Sequence, residues 1–370
     1  MKHSRLFLLL SFVSIVGLIS IVNAQFPGKQ SDWKGFKKTV FKVGEHEAFV
    51  VEPKEPATGI PWVWRARFPT YHTEIDEMLL SDGYHIAHVN AGSRLGSPNA
   101  LKIWKQFYDL LTEKHGFNKK VVLEGVSRGG LYVYRWAKAY PETVACIYND
   151  TPVCDFKSWP GGKGAGKGAQ GQWKRVIEEY GFKNEEEAMA YRDNPIDNLQ
   201  PIVDARIPIM HIITEDDAIV PPKENTYVLK ERLEKLGHPL FYVISIKNGK
   251  PSTNGHHFNV ESPQVGYHFI RKYSDFSNEY PIYLRSGLKN SRHGFSKTKK
   301  VGWVFLGDPL LNPQVGVCMW LSRYKKDFRR LNLILFMQES VPPTPLMEPF
   351  VCTAIFYPKV RLISSLLNPL

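Results

Sequence analysis

The stretch Gly125-Val126-Ser127-Arg128-Gly129-Gly130, directly behind the apolar run Val121-Val122-Leu123-Glu124, constrains the fold of this chain more than any other. It fits G-x-S-x-G, in which a serine sits on a sharp strand-to-helix turn with its hydroxyl exposed. Such a turn brings the strand and helix backbones close, so side chains at the outer glycines are expected to collide. Leu131 to Tyr140 reads as the helix after the turn, and Pro141 closes it. The plain alternative is a serine in an ordinary glycine-rich turn.

Around this turn the chain alternates. Strands are expected over residues 39–43, 48–51, 60–64, 84–89, 144–148, 207–213 and 241–246. Helices are expected over about 74–80, 100–114, 223–236 and 263–273. Alternating strands and helices imply an α/β fold, a mostly parallel sheet with helices on both faces. No repeat of 20–50 residues is visible.

Residues 155–201 break the alternation, with helix-like stretches around 173–180 and 185–191, and read as a lid insertion over the carboxyl edge of the sheet, where ligands bind in open α/β folds. Gly161 to Lys167 fits the spacing G-x-x-x-x-G-K. Gly168 stands where a phosphate loop needs Ser or Thr, however, and Trp159-Pro160 is no strand, so a mobile glycine-rich lid is expected instead.

Hydrophobic residues make up 43% of the 370, enough for a substantial core. Residues 1–24 stand apart from it. Lys2 and Arg5 precede an apolar run from Leu6 to Val22, and Val22-Asn23-Ala24 offers a small-residue cleavage site, so a removed secretory signal and an exported, secreted or periplasmic, protein are expected. An uncleaved anchor is the alternative. No later segment has an uninterrupted apolar run near the length of a membrane span.

The net charge is +12, of which residues 1–24 carry +2 and residues 302–370 carry +3, leaving +7 spread through the body. No zinc-finger spacing, aromatic RNA-binding motif or basic helix accompanies it, so no nucleic-acid partner is expected. Four cysteines are too few for a disulfide scaffold. Cys146 and Cys154 could bridge or remain buried thiols, and no Cys/His spacing points to a metal.

A serine hydroxyl needs a base, and the base needs an orienting carboxylate. After the strand ending at Ile213 comes Thr214-Glu215-Asp216-Asp217-Ala218-Ile219-Val220-Pro221. After Ile246 comes a loop containing Gly255-His256-His257. The chain order is therefore Ser, acid, His, each at the end of a successive strand. Over roughly residues 38–275 the sequence resembles the α/β-hydrolase family. The family's D-x-x-V-P matches Asp217 with Val220-Pro221, and its G-H matches Gly255-His256.

The resemblance implies Ser127 as nucleophile, His256 as base and Asp217 as acid, with Asp216 and His257 as the competing choices. It implies two-step acyl transfer without cofactor or metal. One oxyanion donor is expected from the Arg128 amide. The other is expected within Arg65-Ala66-Arg67, with Ala66 the chosen residue, although the family's usual His-Gly is replaced there by Trp64-Arg65. The Arg128 side chain either faces the site, as in glucuronoyl esterase-like enzymes with G-x-S-R, or forms a salt bridge on the following helix. Arg65, Trp159 and Trp173 are expected to contact a small-molecule or carbohydrate ester. His85, His88 and His211 fall within strands and read as structural.

Residues 276–301 read as a linker, and Lys299 to Gly307 opens like a new strand. From Asp308 onward no sustained period appears. Codons for Asp308-Pro309-Leu310-Leu311, read one base earlier, permit Gly-Ser-Ile-Thr, a word resembling the first block of SGNH-type hydrolases. A frameshift near Gly307-Asp308 is the expectation, with residues 308–370 an irregular tail.

Overall fold

The computed structural model describes residues 26–274 and four strands further on, 302–306, 317–321, 332–334 and 356–357. The expected signal segment and linker lie outside the described residues.

Nine strands form the main sheet: β1 (Lys29–Trp33), β2 (Phe36–Val43), β3 (His46–Glu52), β4 (Trp62–Arg65), β5 (His85–Val89), β6 (Val121–Val126), β7 (Val144–Asp150), β8 (Ile209–Thr214) and β9 (Phe241–Ile246). Their order is β1-β2-β3-β5-β4-β6-β7-β8-β9. The β1–β2, β2–β3 and β3–β5 pairs are antiparallel, and every pair from β5 to β9 is parallel. The helices are α1 (Glu74–Ser81), α2 (Pro98–Asp109), α3 (Gly129–Ala139), α4 (Gln170–Tyr180), α5 (Glu185–Ala190), α6 (Gln200–Asp204), α7 (Thr226–Lys235) and α8 (Pro263–Ser274). Strand β1 and helix α6 are additions to the elements expected from sequence.

Period-2 alternation sorts side chains between the two faces of the sheet. On β4, Trp62 and Trp64 join the core on one face and Val63 joins the other. The tryptophan face is aromatic: Trp64 stacks on Trp104 of α2 at 4.2 Å and meets Trp136 of α3 edge-on at 4.9 Å. The opposite face is covered by α1 and α8, through Ile75, Leu79, Phe269 and Ile270.

Cys146 and Cys154 are both buried free thiols. His85, His88 and His211 are buried. Desolvation pushes the first two down to about 4 and the third to about 3, so all three are neutral at pH 7. His211 is held between Tyr134 Oη (2.6 Å) and Thr226 Oγ1 (3.0 Å), a structural role.

The glycine-rich part of the insertion is seated by backbone hydrogen bonds. The Lys167 amide donates to Ala218 O at 3.0 Å, the Ala169 amide donates to Pro160 O at 2.9 Å, and the Ala165 amide donates to the Glu224 carboxylate. A Cβ on Gly162 would meet the Gly168 backbone at 2.8 Å. These glycines let the loop fold back on itself and onto residues 218–224.

Four further strands, β10 (Gly302–Leu306), β11 (Val317–Leu321), β12 (Asn332–Ile334) and β13 (Phe356–Tyr357), form an antiparallel sheet in that order. The first falls where a strand was expected. The other three depart from the expectation of irregular chain, because short apolar runs such as Val317–Leu321 show too little alternation to register as strands in sequence. Most of the residues behind the SGNH resemblance and the frameshift expectation lie outside the described ones.

Candidate active site

Ser127 closes β6 and opens α3 with φ of 53°, a left-handed conformation that costs a non-glycine residue about 1–2 kcal/mol. The turn is fixed from both sides. The Ser127 amide donates to Asp150 O at 2.9 Å, and Ser127 O accepts from the Val153 amide at 2.9 Å. A Cβ on Gly125 would lie 2.2 Å from Asn149 Oδ1, and one on Gly130 would lie 2.7 Å from Val153 O. Gly129, the second outer glycine of the motif, would place its Cβ at ordinary contact distance, 3.5 Å from Ala66 Cβ. Sterics therefore demand Gly125 and Gly130 rather than both outer glycines.

Three strand ends converge here. His256, in the loop after β9, sets Nε2 at 2.8 Å from Ser127 Oγ and Nδ1 at 2.6 Å from Asp217 Oδ2, in the loop after β8. For the serine hydroxyl to donate to Nε2, the ring proton must sit on Nδ1, where Asp217 accepts it. All three residues are buried. Asp217 Oδ1 also accepts the Ile219 and Val220 amides, each at 2.8 Å, which fixes the carboxylate plane.

The competing residues have other partners. Asp216 Oδ1 accepts the Gly249 amide at 2.7 Å, tying the histidine loop to the acid loop. His257 packs its ring against Tyr71 at 4.7 Å and His256 at 4.6 Å. Burial, then the neighbouring His256 and His72, push His257 down to about 4, so it is neutral at neutral pH.

Two expected contacts are corrected by burial. The Arg65 side chain is enclosed beneath the site, with Nη1 2.5 Å from Asp76 Oδ2 and 2.9 Å from Glu124 Oε1. It also donates to the carbonyls of Phe68 (3.3 Å) and Tyr71. It cannot touch a substrate. Trp173 is buried, its Nε1 donating to Glu185 at 3.2 Å and its ring packing against Phe156, so it presents no open face to a sugar. Trp159 is half-buried beside the site, with the Arg128 guanidinium 5.8 Å from its ring centre.

Ala66 is the third correction. Its amide donates to Glu124 O at 2.8 Å and so extends the β4–β6 ladder instead of facing an oxyanion. The next amide, Arg67, has no acceptor among the described residues, and neither has that of Arg128. A Cβ on Gly129 would stand 3.6 Å from Arg67 N, which puts that amide at the mouth of α3 near the serine turn. The Arg67 and Arg128 amides are thus two donors at the serine turn with no acceptor among the described residues. The Arg128 side chain makes no salt bridge among the described residues; its Nη1 donates to Gln172 Oε1 at 3.2 Å. Sequence reasoning missed Gln172 and Phe68, which carry no motif of their own.

Glu124, three residues before Ser127, faces Arg65 together with Asp76. Burial pushes Glu124 well above the usual carboxylate range, reinforced by the nearby charges of Asp76 and Asp150. Burial also raises Asp76 against the pull of Arg65. Desolvation opposes the Arg65 charge, but the two carboxyls more than offset it and its net direction is upward. One cation facing two carboxyls is balanced when Glu124 keeps its proton.

Among solved structures, the chain is similar to a Mycobacterium tuberculosis puromycin-hydrolyzing peptidase at 14% identity, covering 65% of this chain and 40% of that one with a TM-score of 0.50. It also matches the Pyrococcus horikoshii acylaminoacyl peptidase (15%, 67% and 45%, 0.49) and the Pyrococcus furiosus esterase Pf2001 (15%, 67% and 98%, 0.45). The fold is that of the α/β-hydrolases. The chain spans less than half the length of the two peptidases. No family model matches it, and no curated protein does. Among the described residues, no cluster of His, Cys, Asp and Glu could hold a metal ion, and no helix is long and apolar enough to cross a membrane.

Proposed function

We propose that this chain is an exported serine hydrolase that cleaves esters through an acyl-enzyme on Ser127. The relay from Ser127 Oγ to His256 to Asp217, at 2.8 and 2.6 Å within a buried site, carries the proposal. His256 takes the serine proton as Oγ attacks the ester carbonyl. The Arg67 and Arg128 amides receive the developing oxyanion. The imidazolium then protonates the leaving alcohol, and a water activated by the same ring releases the acid. Asp217 orients His256 and stabilises its charged form.

A fluorophosphonate probe tests this reading. Covalent labelling of folded protein at Ser127, lost in Ser127→Ala, is expected together with turnover of p-nitrophenyl acetate. Folded protein that takes no label overturns it. Cleavage of amino-acid p-nitroanilides with esters left intact would move the assignment from esterase to peptidase.

A further inference from the structure

Arg67 and Arg128 stand on two neighbouring strand ends, just past β4 and β6, and their guanidinium groups share one aromatic ring. The Arg67 guanidinium carbon lies 5.6 Å from the centre of Phe68 and that of Arg128 lies 5.2 Å from it. Trp159 flanks Arg128 at 5.8 Å. Two like charges are thus held close together on a half-buried aromatic platform beside the nucleophile.

Neither charge has a carboxylate partner among the described residues. Among the ion pairs of the described residues, Arg65, Arg94, Arg135 and Arg232 each meet a carboxylate, whereas Arg67 and Arg128 meet none. Their acceptors are neutral: Asn90 Oδ1 (3.4 Å) and Gly92 O (3.1 Å) for Arg67, and Gln172 Oε1 for Arg128. Arg67 Nε is buried without an acceptor among the described residues. Desolvation and Arg67 both pull the Arg128 guanidinium below its ordinary range and outweigh the opposing pull of Tyr132. Two partly desolvated arginines without a counter-charge cost stability, and a bound anion offsets that cost.

We infer that the site selects substrates bearing a carboxylate, held by Arg67 and Arg128 across the Phe68 ring. This rests on the serine-hydrolase reading and narrows it from esters in general to acidic ones. Guanidinium groups recognise carboxylates through charge-assisted hydrogen bonds, and the aromatic ring between them limits how far either can swing toward solvent.

Two matched pairs test the inference on the full chain: p-nitrophenyl hemisuccinate against p-nitrophenyl butyrate, with the acid on the acyl side, and 3-carboxyphenyl acetate against phenyl acetate, with it on the alcohol side. In at least one pair the acidic ester is expected to show kcat/KM about ten- to a hundredfold higher. That preference should shrink in high salt and fall toward parity in Arg128→Gln and Arg67→Gln, while Arg128→Lys keeps part of it. Equal rates in both pairs overturn the inference, as does a preference untouched by either glutamine variant. So does an equal loss on acidic and neutral esters in Arg128→Gln. If no ester turns over and no probe labels Ser127, the hydrolase reading fails separately. Calorimetry on Ser127→Ala then decides the inference: tighter binding of monoethyl succinate than of ethyl butyrate, or of 3-carboxyphenyl acetate than of phenyl acetate, supports it, and equal binding in both pairs overturns it.

Discussion

Asp217 meets His256 through one carboxylate oxygen at 2.6 Å and holds its own loop with the other, through the Ile219 and Val220 amides. The two tasks separate on substitution. In Asp217→Asn the amide oxygen can still hold the loop, but it then turns N–H toward His256 and opposes the required tautomer. We expect kcat on p-nitrophenyl acetate to fall by about 10³- to 10⁴-fold, the scale known for the serine-protease triad, with little change in melting temperature. Asp216→Asn should cost less than about tenfold, since Asp216 acts only through the Gly249 amide.

The left-handed backbone at Ser127 predicts an inversion of the usual order of glycine and alanine. Alanine there carries about 1–2 kcal/mol of strain, whereas glycine costs about 0.4–1 kcal/mol through the unfolded chain. Ser127→Gly should therefore be at least as stable as Ser127→Ala in urea unfolding, with both inactive. A clearly less stable glycine variant would show that the turn is unstrained.

Gly129→Ala probes the oxyanion donors. Its Cβ fits without collision and stands 3.6 Å from the Arg67 nitrogen, beside one of the two proposed donors. The variant should fold normally and lose about ten- to a hundredfold in kcat, part of the loss seen when an oxyanion donor is removed. Unchanged kcat would place the oxyanion elsewhere.

Buried Glu124 sets the direction of a pH effect. Its carboxyl is raised in the folded state, so its contribution is fully present below the unfolded value of about 4.3 and is lost as pH rises toward the folded one. Wild-type melting temperature should fall with rising pH over that window. Glu124→Gln should flatten the fall, because glutamine cannot ionise. Arg65→Met, which strands Asp76 without its cation, should cost about 3–5 kcal/mol at neutral pH. Calorimetric scans from pH 5 to 9 measure both.

The framework was legible because its signals are local. The apolar runs of β6 to β9 and the turn at Ser127 can each be read within ten residues, and their chain order brought Asp217 and His256 to one sheet edge. What failed depended on which way a side chain or amide turns. Arg65 lies two residues from Val63 and so shares its inward face, yet its charge suggested an outward role. Ala66 N–H is absorbed by one more rung of the ladder with Glu124, which moves the free donor to Arg67. Trp173 reads as a binding platform from its place in the insertion, but its burial depends on Phe156 and Glu185, which sequence spacing does not connect to it.

The insertion and the acid loop are stitched together. Glu224 accepts from Ser158 and the Ala165 amide, and Asn225 receives the Cys154 and Asp155 amides. Segment exchange between homologues of this architecture usually treats such an insertion as a removable module. Here a graft of residues 155–201 that left 218–225 behind would loosen the loop that aims Asp217. The two segments form one inheritable unit, and a change of specificity drawn from the insertion must carry its own acid loop with it.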